Sequence, residues 1–462
     1  MGRCRQFFSW LRRSANLEIG CYLRPTPGKV AALGSVLAVL TLVYVLGAAV
    51  MYFRLPTSVY LTKAFMGAED WSARADVSSE PTDAFSSDTP KMKQDQKGVA
   101  CDGYTLCIND LGPKATLIDM RGGIVHQWKA NSRMAWPRAP HVQDPLPDEP
   151  VHWDYCHVYP DGALLALCSR VKDAYGYGLM KLDRDSNLLW AYSGSVHHDF
   201  TVGEDGRIYV LTFRVDAQLP PEFQGATKTF RAEDLVVLSP DGQPLATIPL
   251  FEAFSRSDFA MLFETQLRRG GGLTWASPPS AELPESGEEV PGDYLHTNSV
   301  KILPKALAAK FPQFKPGWAL LSFRTSSTIA LIDPEKREVV WAAIGPWRRQ
   351  HDAQFLENGH LLIFDNCGTR DGPRVLEYDP VSQGIPWSCG PDDFKRPIKA
   401  TFRGGCQRLP NGNTLICDWH RSVFEMTTNK QIVWESDVPG HLRARRYFPE
   451  ELPFLPAGTK PR

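Results

Sequence analysis

The sequence predicts an all-β chain, a six-bladed β-propeller with an N-terminal single transmembrane helix. Three observations predict it. A strand–turn–strand unit recurs six times, tight-turn dipeptides recur at matching places before most copies, and one long run near the N-terminus carries no charge.

The repeat comes first, because a fixed period of supersecondary units overrides what length alone suggests. Ala115 to Trp128 reads as an apolar strand, a Gly122-Gly123 turn, a second strand and a closing Trp. The unit returns at Leu182 to Trp190 and, without the Trp, around Ser239-Pro240-Asp241-Gly242. Three more copies end at Trp341, Trp387 and Trp434. A second unit precedes most of these. Asp161-Gly162, Asp205-Gly206, Asn358-Gly359 and Asn411-Gly412 lie between apolar strands, the strongest short-range hairpin signal. A fifth copy starts at Asn298-Ser299-Val300 and has its turn swollen into Lys305 to Gly317; in the sixth only Gly103 to Asp110 looks like a strand. Two hairpins make a four-stranded blade, and six blades make a ring with short, shielded edges. Closing the ring requires a strand from elsewhere, and the segment after Trp434 is the candidate. An insertion at 251–292 is long enough to act as a lid over one face.

Composition agrees. The chain has 462 residues, is 43% hydrophobic, and holds 13 Trp and 37 Pro, which suits a β-rich, loop-rich protein. Lys and Arg number 51 against 52 Asp and Glu, with no basic stripe in the body of the chain, so nothing favours a nucleic-acid partner.

The uncharged run is Val30 to Phe53. At about 1.5 Å per residue it is long enough to span a bilayer with some tilt. It reads as an uncleaved signal-anchor, with a cleaved signal ending near Gly47-Ala48-Ala49 as the alternative. Residues 1–29 carry Arg3, Arg5, Arg12, Arg13, Arg24 and Lys29 against Glu18, which places them in the cytoplasm and the rest outside it. Residues 54–100 read as a flexible stalk and 101–462 as the propeller, in a periplasmic, lumenal or extracellular space. Eight cysteines fall in that exported part. Cys156/Cys168 and Cys406/Cys417 sit across hairpins, as bridges or as small buried hydrophobes.

The chemistry-bearing residues follow from the register. Seven residues before each first-hairpin turn stand Asp154, His198, His351 and Gly404; in the swollen blade the matching residue is His296, seven before Leu303. That position opens the innermost strand, beside the axis. Arg324 ends the second strand of the fourth blade on the same face, and Arg214 reads as its equivalent one blade earlier. Three His and an Arg converging on an axial site suit an oxyanion such as sulfate or phosphate. A structural repeat consensus, a Zn or Mn site of a lyase or hydrolase, and a non-catalytic binding propeller remain alternatives. His157, His360 and His420 fall off the position, and His360 reads as a solvated turn residue. There is no phosphate-cradling Gly loop.

Val196-His197-His198-Asp199-Phe200, Tyr294 to Ser299, Ser322-Phe323-Arg324, Gln350-His351-Asp352 and Phe364-Asp365-Asn366 resemble the bacterial-type arylsulfate sulfotransferases, which need no nucleotide sulfate donor. The resemblance implies transfer of a sulfuryl group from a phenolic sulfate ester to a phenol, without a cofactor or metal. It implies His351 as the nucleophile of a transient sulfohistidine. Arg324, His198 and His296 would hold the sulfuryl oxygens and assist proton transfer, with Asn298 supporting them. Asn298 and Arg214 are both expected on the substrate side. The chain departs from the type members in its anchor and stalk, which replace a separate N-terminal β domain. It also has a compact Arg324–His351 interval.

Overall fold

In a computed structural model the described residues are 41, 91–109, 112–137, 151–170, 176–214, 231–262, 294–369, 371–394, 398, 403–418, 422–437 and 441–462. The expected anchor at 30–53, Thr41 apart, lies outside them, as do the expected cytoplasmic segment, His420 and most of the insertion. Among the described residues no helix is long and apolar enough to cross a membrane.

The strands form six antiparallel sheets. The first strand, β1 (Lys91–Asp95), belongs to the last blade. Blade one holds β2 (Tyr104–Asn109), β3 (Lys114–Ile118) and β4 (Ile124–Lys129); blade two holds β5 (Val151–Val158), β6 (Leu164–Arg170), β7 (Gly176–Leu182) and β8 (Leu188–Ser193). Blade three holds β9 (Val196–Val202), β10 (Ile208–Arg214), β11 (Ala232–Leu238) and β12 (Pro244–Pro249). A short helix, α1 (Leu250–Ser255), follows it. Blade four holds β13 (Thr297–Ile302), β14 (Ala319–Phe323), β15 (Thr328–Asp333) and β16 (Glu338–Ile344), with α2 (Lys305–Ala308) in its swollen turn. Blade five holds β17 (His351–Phe355), β18 (Leu361–Thr369), β19 (Gly372–Tyr378) and β20 (Trp387–Cys389), followed by α3 (Pro391–Phe394). Blade six holds β21 (Gly405–Arg408), β22 (Thr414–Cys417), β23 (Ser422–Met426) and β24 (Ile432–Asp437).

The ring closes with β25 (His441–Tyr447), which pairs with β2 and supplies the inner strand that blade one lacks. The segment after Trp434 therefore does what the incomplete first repeat requires.

Blade-to-blade packing explains the recurrent Trp. Trp128 of blade one donates its indole N–H to Gly162 O in the first turn of blade two, at 3.0 Å. Trp387 of blade five donates to Thr428 O in blade six, and Trp434 of blade six to Met120 O in blade one. Trp190 of blade two lies against the Gly242 turn of blade three, where a Cβ would come within 2.6 Å of the indole. Each such ring removes apolar area from water, and Trp128, Trp387 and Trp434 also satisfy their one donor across the interface.

Two expectations need correction, and one left open is decided. Residues 91–95, placed in the stalk by composition, form β1 on the outer edge of blade six. The polar composition misleads because an edge strand needs only backbone pairing and one inward apolar residue; Met92 packs on the Trp434 cluster and Lys93 pairs with Asp437. The start of the insertion is no lid: Phe251 and Phe254 are buried, and Phe254 meets Phe323 edge to face at 5.0 Å. The eight cysteines are free thiols, so both hairpin pairs are packing residues.

Candidate active site

The register can be read from the hydrogen bonds that close each first turn. The closing N–H comes from Tyr159, Gly203, Leu356 and Leu409, and in the swollen turn of blade four from Leu303, which donates to Trp318 O. Five residues earlier stand Asp154, His198, His351, Gly404 and Asn298. Asn298, and not His296, therefore shares the position of His198 and His351. The swollen turn hides this, because its closing residue stands where a turn dipeptide was counted in the other blades. His296 lies two residues further back, opposite Arg324, whose N–H donates to His296 O at 3.1 Å. It still reaches the cluster, since its ring sits 4.8 Å from that of His198.

The same register moves Arg214. Phe213 N–H donates to Ser195 O as Arg324 N–H does to His296 O, so Phe213 is the equivalent of Arg324 and Arg214 is one residue beyond. Its guanidinium forks onto Asp234 at 2.8 and 3.1 Å. It lines a separate cavity of about 650 Å³ with Glu252, Arg256 and Arg337, which none of the three His lines. The structure brings His198, His296, His351, Arg324 and Asn298 together and leaves Arg214 out.

Bulges aim these side chains. His198 and His296 have φ of 57° and 49°, and in blade five the bulged residue is Asp352 at 51°. Non-Gly residues in the left-handed region cost energy, and such strain collects at functional sites. Around them the polar core is tied across blades. Asn298 Nδ2 donates to Gln350 O at 2.7 Å, while Gln350 Nε2 donates to Thr328 O and Ser322 Oγ. Asn298 Oδ1 is buried with no partner.

His351 has a fixed tautomer. Its Nδ1 faces Asn366 Oδ1 at 2.7 Å and Arg349 O at 3.1 Å, and both of these can only accept. The Asn366 amide cannot be reversed, because its Nδ2 donates to Arg403 O. Nδ1 therefore carries the proton and Nε2 keeps its lone pair, approached by Arg403 N–H at 3.4 Å. Burial, then the Arg324 charge, hold this imidazole well below its usual range, against the opposing pull of Asn366. Burial, then His296 and His197, do the same for His198. Both rings are neutral at pH 7. Asn366 stood in the sequence only within the Phe364-Asp365-Asn366 motif, with no role assigned, and Arg403 was not singled out, because their partners are 15 and 52 residues away.

Below this layer the channel is crossed by paired charges. Asp199 accepts from Lys301 Nζ at 2.6 Å, Arg443 Nη1 at 2.9 Å and Val300 N–H at 3.0 Å. Lys301 also lies 3.7 Å from Asp352, whose other oxygen takes Cys406 N–H. Blades one, three, four, five and six thus meet in one network, and Arg443 adds positive potential beneath His351 and His198. The neighbouring His-Asp dipeptides 198–199 and 351–352 were the available sequence signal. Of the off-register His, His360 is held by Glu377 at 2.7 Å and is not a solvated turn residue.

Two guanidiniums around neutral imidazoles suit an anion better than a metal ion. Among the described residues no three His, Cys, Asp or Glu side chains form a ligating group.

Fold and site together define a class of protein, a six-bladed β-propeller that gathers imidazoles and guanidiniums on its inner strands. Within that class, residues 118–438 match the family Arylsulfotransferase (ASST), and the chain belongs to that family. No curated protein matches it. Similar solved structures include a Bacteroides caccae protein of unknown function, at 13% identity over 72% of this chain and 93% of that one, TM-score 0.45. Another is virginiamycin B lyase from Staphylococcus aureus, at 10% identity over 78% and 88%, TM-score 0.36. Likenesses this distant say nothing of chemistry.

Proposed function

We propose that this chain transfers a sulfuryl group from an aryl sulfate ester to a phenolic acceptor in two steps through His351. The observation that carries the reading is the His351 tautomer: a neutral ring with Nδ1–H committed to Asn366 and an Nε2 lone pair engaged by the long 3.4 Å approach of Arg403 N–H. In the first step Nε2 attacks sulfur, the S–N bond forms, the ester S–O bond breaks, and the donor leaves as the aryloxide anion. In the second a phenol oxygen attacks the sulfohistidine, the S–N bond breaks, and the phenolic proton passes to a base. Arg324, with His296 beside it, holds the equatorial oxygens as charge spreads in a loose transition state. His198, neutral and beside His296, is the proton acceptor for the incoming phenol. Asn298 keeps the inner strand of blade four against Gln350, next to the nucleophile.

The test is release of nitrophenol from its sulfate ester in the presence of phenol. Mass spectrometry should find one added sulfuryl group on the peptide containing His351. No release, or equal release by His351→Ala, overturns the reading; binding without turnover would make the site a receptor for sulfated ligands.

We also propose that residues 30–53 anchor the chain in a membrane with the propeller outside the cytoplasm. What supports this is the uncharged run and its basic flank. Retention of the full chain in alkali-washed membranes, and protease access to the propeller from the non-cytoplasmic side only, are the expected results.

A further inference from the structure

At the register position of the site histidines blade six has Gly404 in place of a His. The residue before it, Arg403, is held in three ways that the reaction scheme above does not use. Its carbonyl accepts from Asn366, the same amide that fixes His351. Its N–H points at His351 Nε2 from 3.4 Å, a long contact on the side where the nucleophile's lone pair lies. Its guanidinium lies 3.9 Å from Asp154, beyond hydrogen-bond reach, so the carboxylate attracts it without occupying its N–H groups.

The tether in blade two is itself built. Asp154 accepts from Ser169 Oγ at 2.5 Å and from His152 at 2.9 Å. Burial pushes its carboxyl up, but His152, Arg403 and the Ser169 hydroxyl outweigh burial and hold it ionised. A bare carboxylate facing a site for an anion would repel the substrate; one that aims a cation does not. Arg403 also has φ of 71°, a strained value for a residue with a Cβ, and its neighbours on both sides of the site hold it there.

We infer that Arg403 is a further sulfuryl-binding residue, its guanidinium and N–H closing the cradle opposite Arg324, with Asp154 as its positioning residue. The inference rests on the sulfuryl-transfer reading. It adds a forked donor from a blade whose register position is Gly404, and it accounts for the strained non-Gly residue whose N–H approaches the nucleophile's Nε2.

Binding separates the two readings. In a His351→Ala background, which cannot turn over, calorimetry with inorganic sulfate and with nitrophenyl sulfate reads the cradle alone. Arg403→Gln should raise both Kd values about tenfold, about 1.4 kcal/mol, while Arg403→Lys keeps most of the affinity as a point charge. An unchanged Kd in Arg403→Gln overturns the inference. So does an equal loss in Arg403→Lys, which would mean that backbone placement and not charge was at stake. If wild-type protein binds sulfate through Arg403 but never turns over an aryl sulfate, only the transfer reading falls. If neither anion binds the parent, both fall.

Discussion

The axis carries two layers with opposite electrostatics. The lower one, Asp199, Lys301, Asp352 and Arg443, is a set of opposite charges that satisfy each other across four blades. The upper one gathers His198, His296 and His351 around Arg324, with no carboxylate among them, and burial keeps His198 and His351 neutral. The lower layer makes the channel a rigid floor; the upper layer is a site that an incoming anion completes. Adjacent residues, His198 and Asp199 or His351 and Asp352, belong to different layers, and both pairs fall where the strand register shifts.

The sharpest way to break the symmetry between layers is at His351. His351→Ala should lower transfer by about 10⁴-fold or more while leaving the unfolding midpoint nearly unchanged. Rate assays and thermal melts on one preparation check both halves. Asp199→Asn should do the reverse. It leaves Lys301 and Arg443 buried without their counter-ion and should cost about 3–5 kcal/mol of stability by denaturant titration, with activity lost only as the fold is lost.

How much of this was legible in the sequence depends on how local each feature is. Turn dipeptides such as Asp205-Gly206 and closing Trp residues such as Trp434 announce blades, because a hairpin is built from neighbours. His198, His351 and Arg324 were found for the same reason: each lies at a fixed count from a turn. The count failed in blade four, where a turn stretched by α2 displaced its reference residue, and it carried Arg214 one residue too far. Asn366, Arg403 and Arg443 could not be found by counting. Their partners come from other blades, and only the closed ring brings them together. Polar β1 was read as stalk because half of what makes it a strand, the open edge of β24, lies over 300 residues away.

Smaller effects sharpen the upper layer. Asn366→Ala should lower kcat by about 10–100-fold with little change in KM, since it frees the ring to adopt the wrong tautomer. Asn366→Asp should raise the His351 pKa, because a carboxylate favours imidazolium, and should move the acid limb of kcat/KM to higher pH. In the wild type that limb should lie well below the value of about 6.5 for an ordinary imidazole. A pH–rate profile on both proteins decides it.

The smallest effect lies beneath both layers. Burial, then Arg445 and Lys181, hold His157 down to about 3. The unfolded chain takes up that proton near pH 6.5. The unfolded state thus binds more protons between these values, so stability is fully present above about 6.5 and declines as pH falls towards 3. His157→Asn should flatten part of that decline in melts between pH 7 and 4.5.

The closing strand has a consequence for synthesis. Arg446 of β25 bonds to Thr105 of β2 across 341 residues, and Arg443 on the same strand neutralises Asp199 in the floor. A nascent chain therefore carries His198, His296 and His351 long before it can hold them in place. Until β25 emerges and docks, Asp199 lacks one of its two cations, blade one lacks its inner edge, and the centre stays unassembled. Catalytic competence would then appear in a single late step, when the newest part of the polypeptide meets one of the oldest.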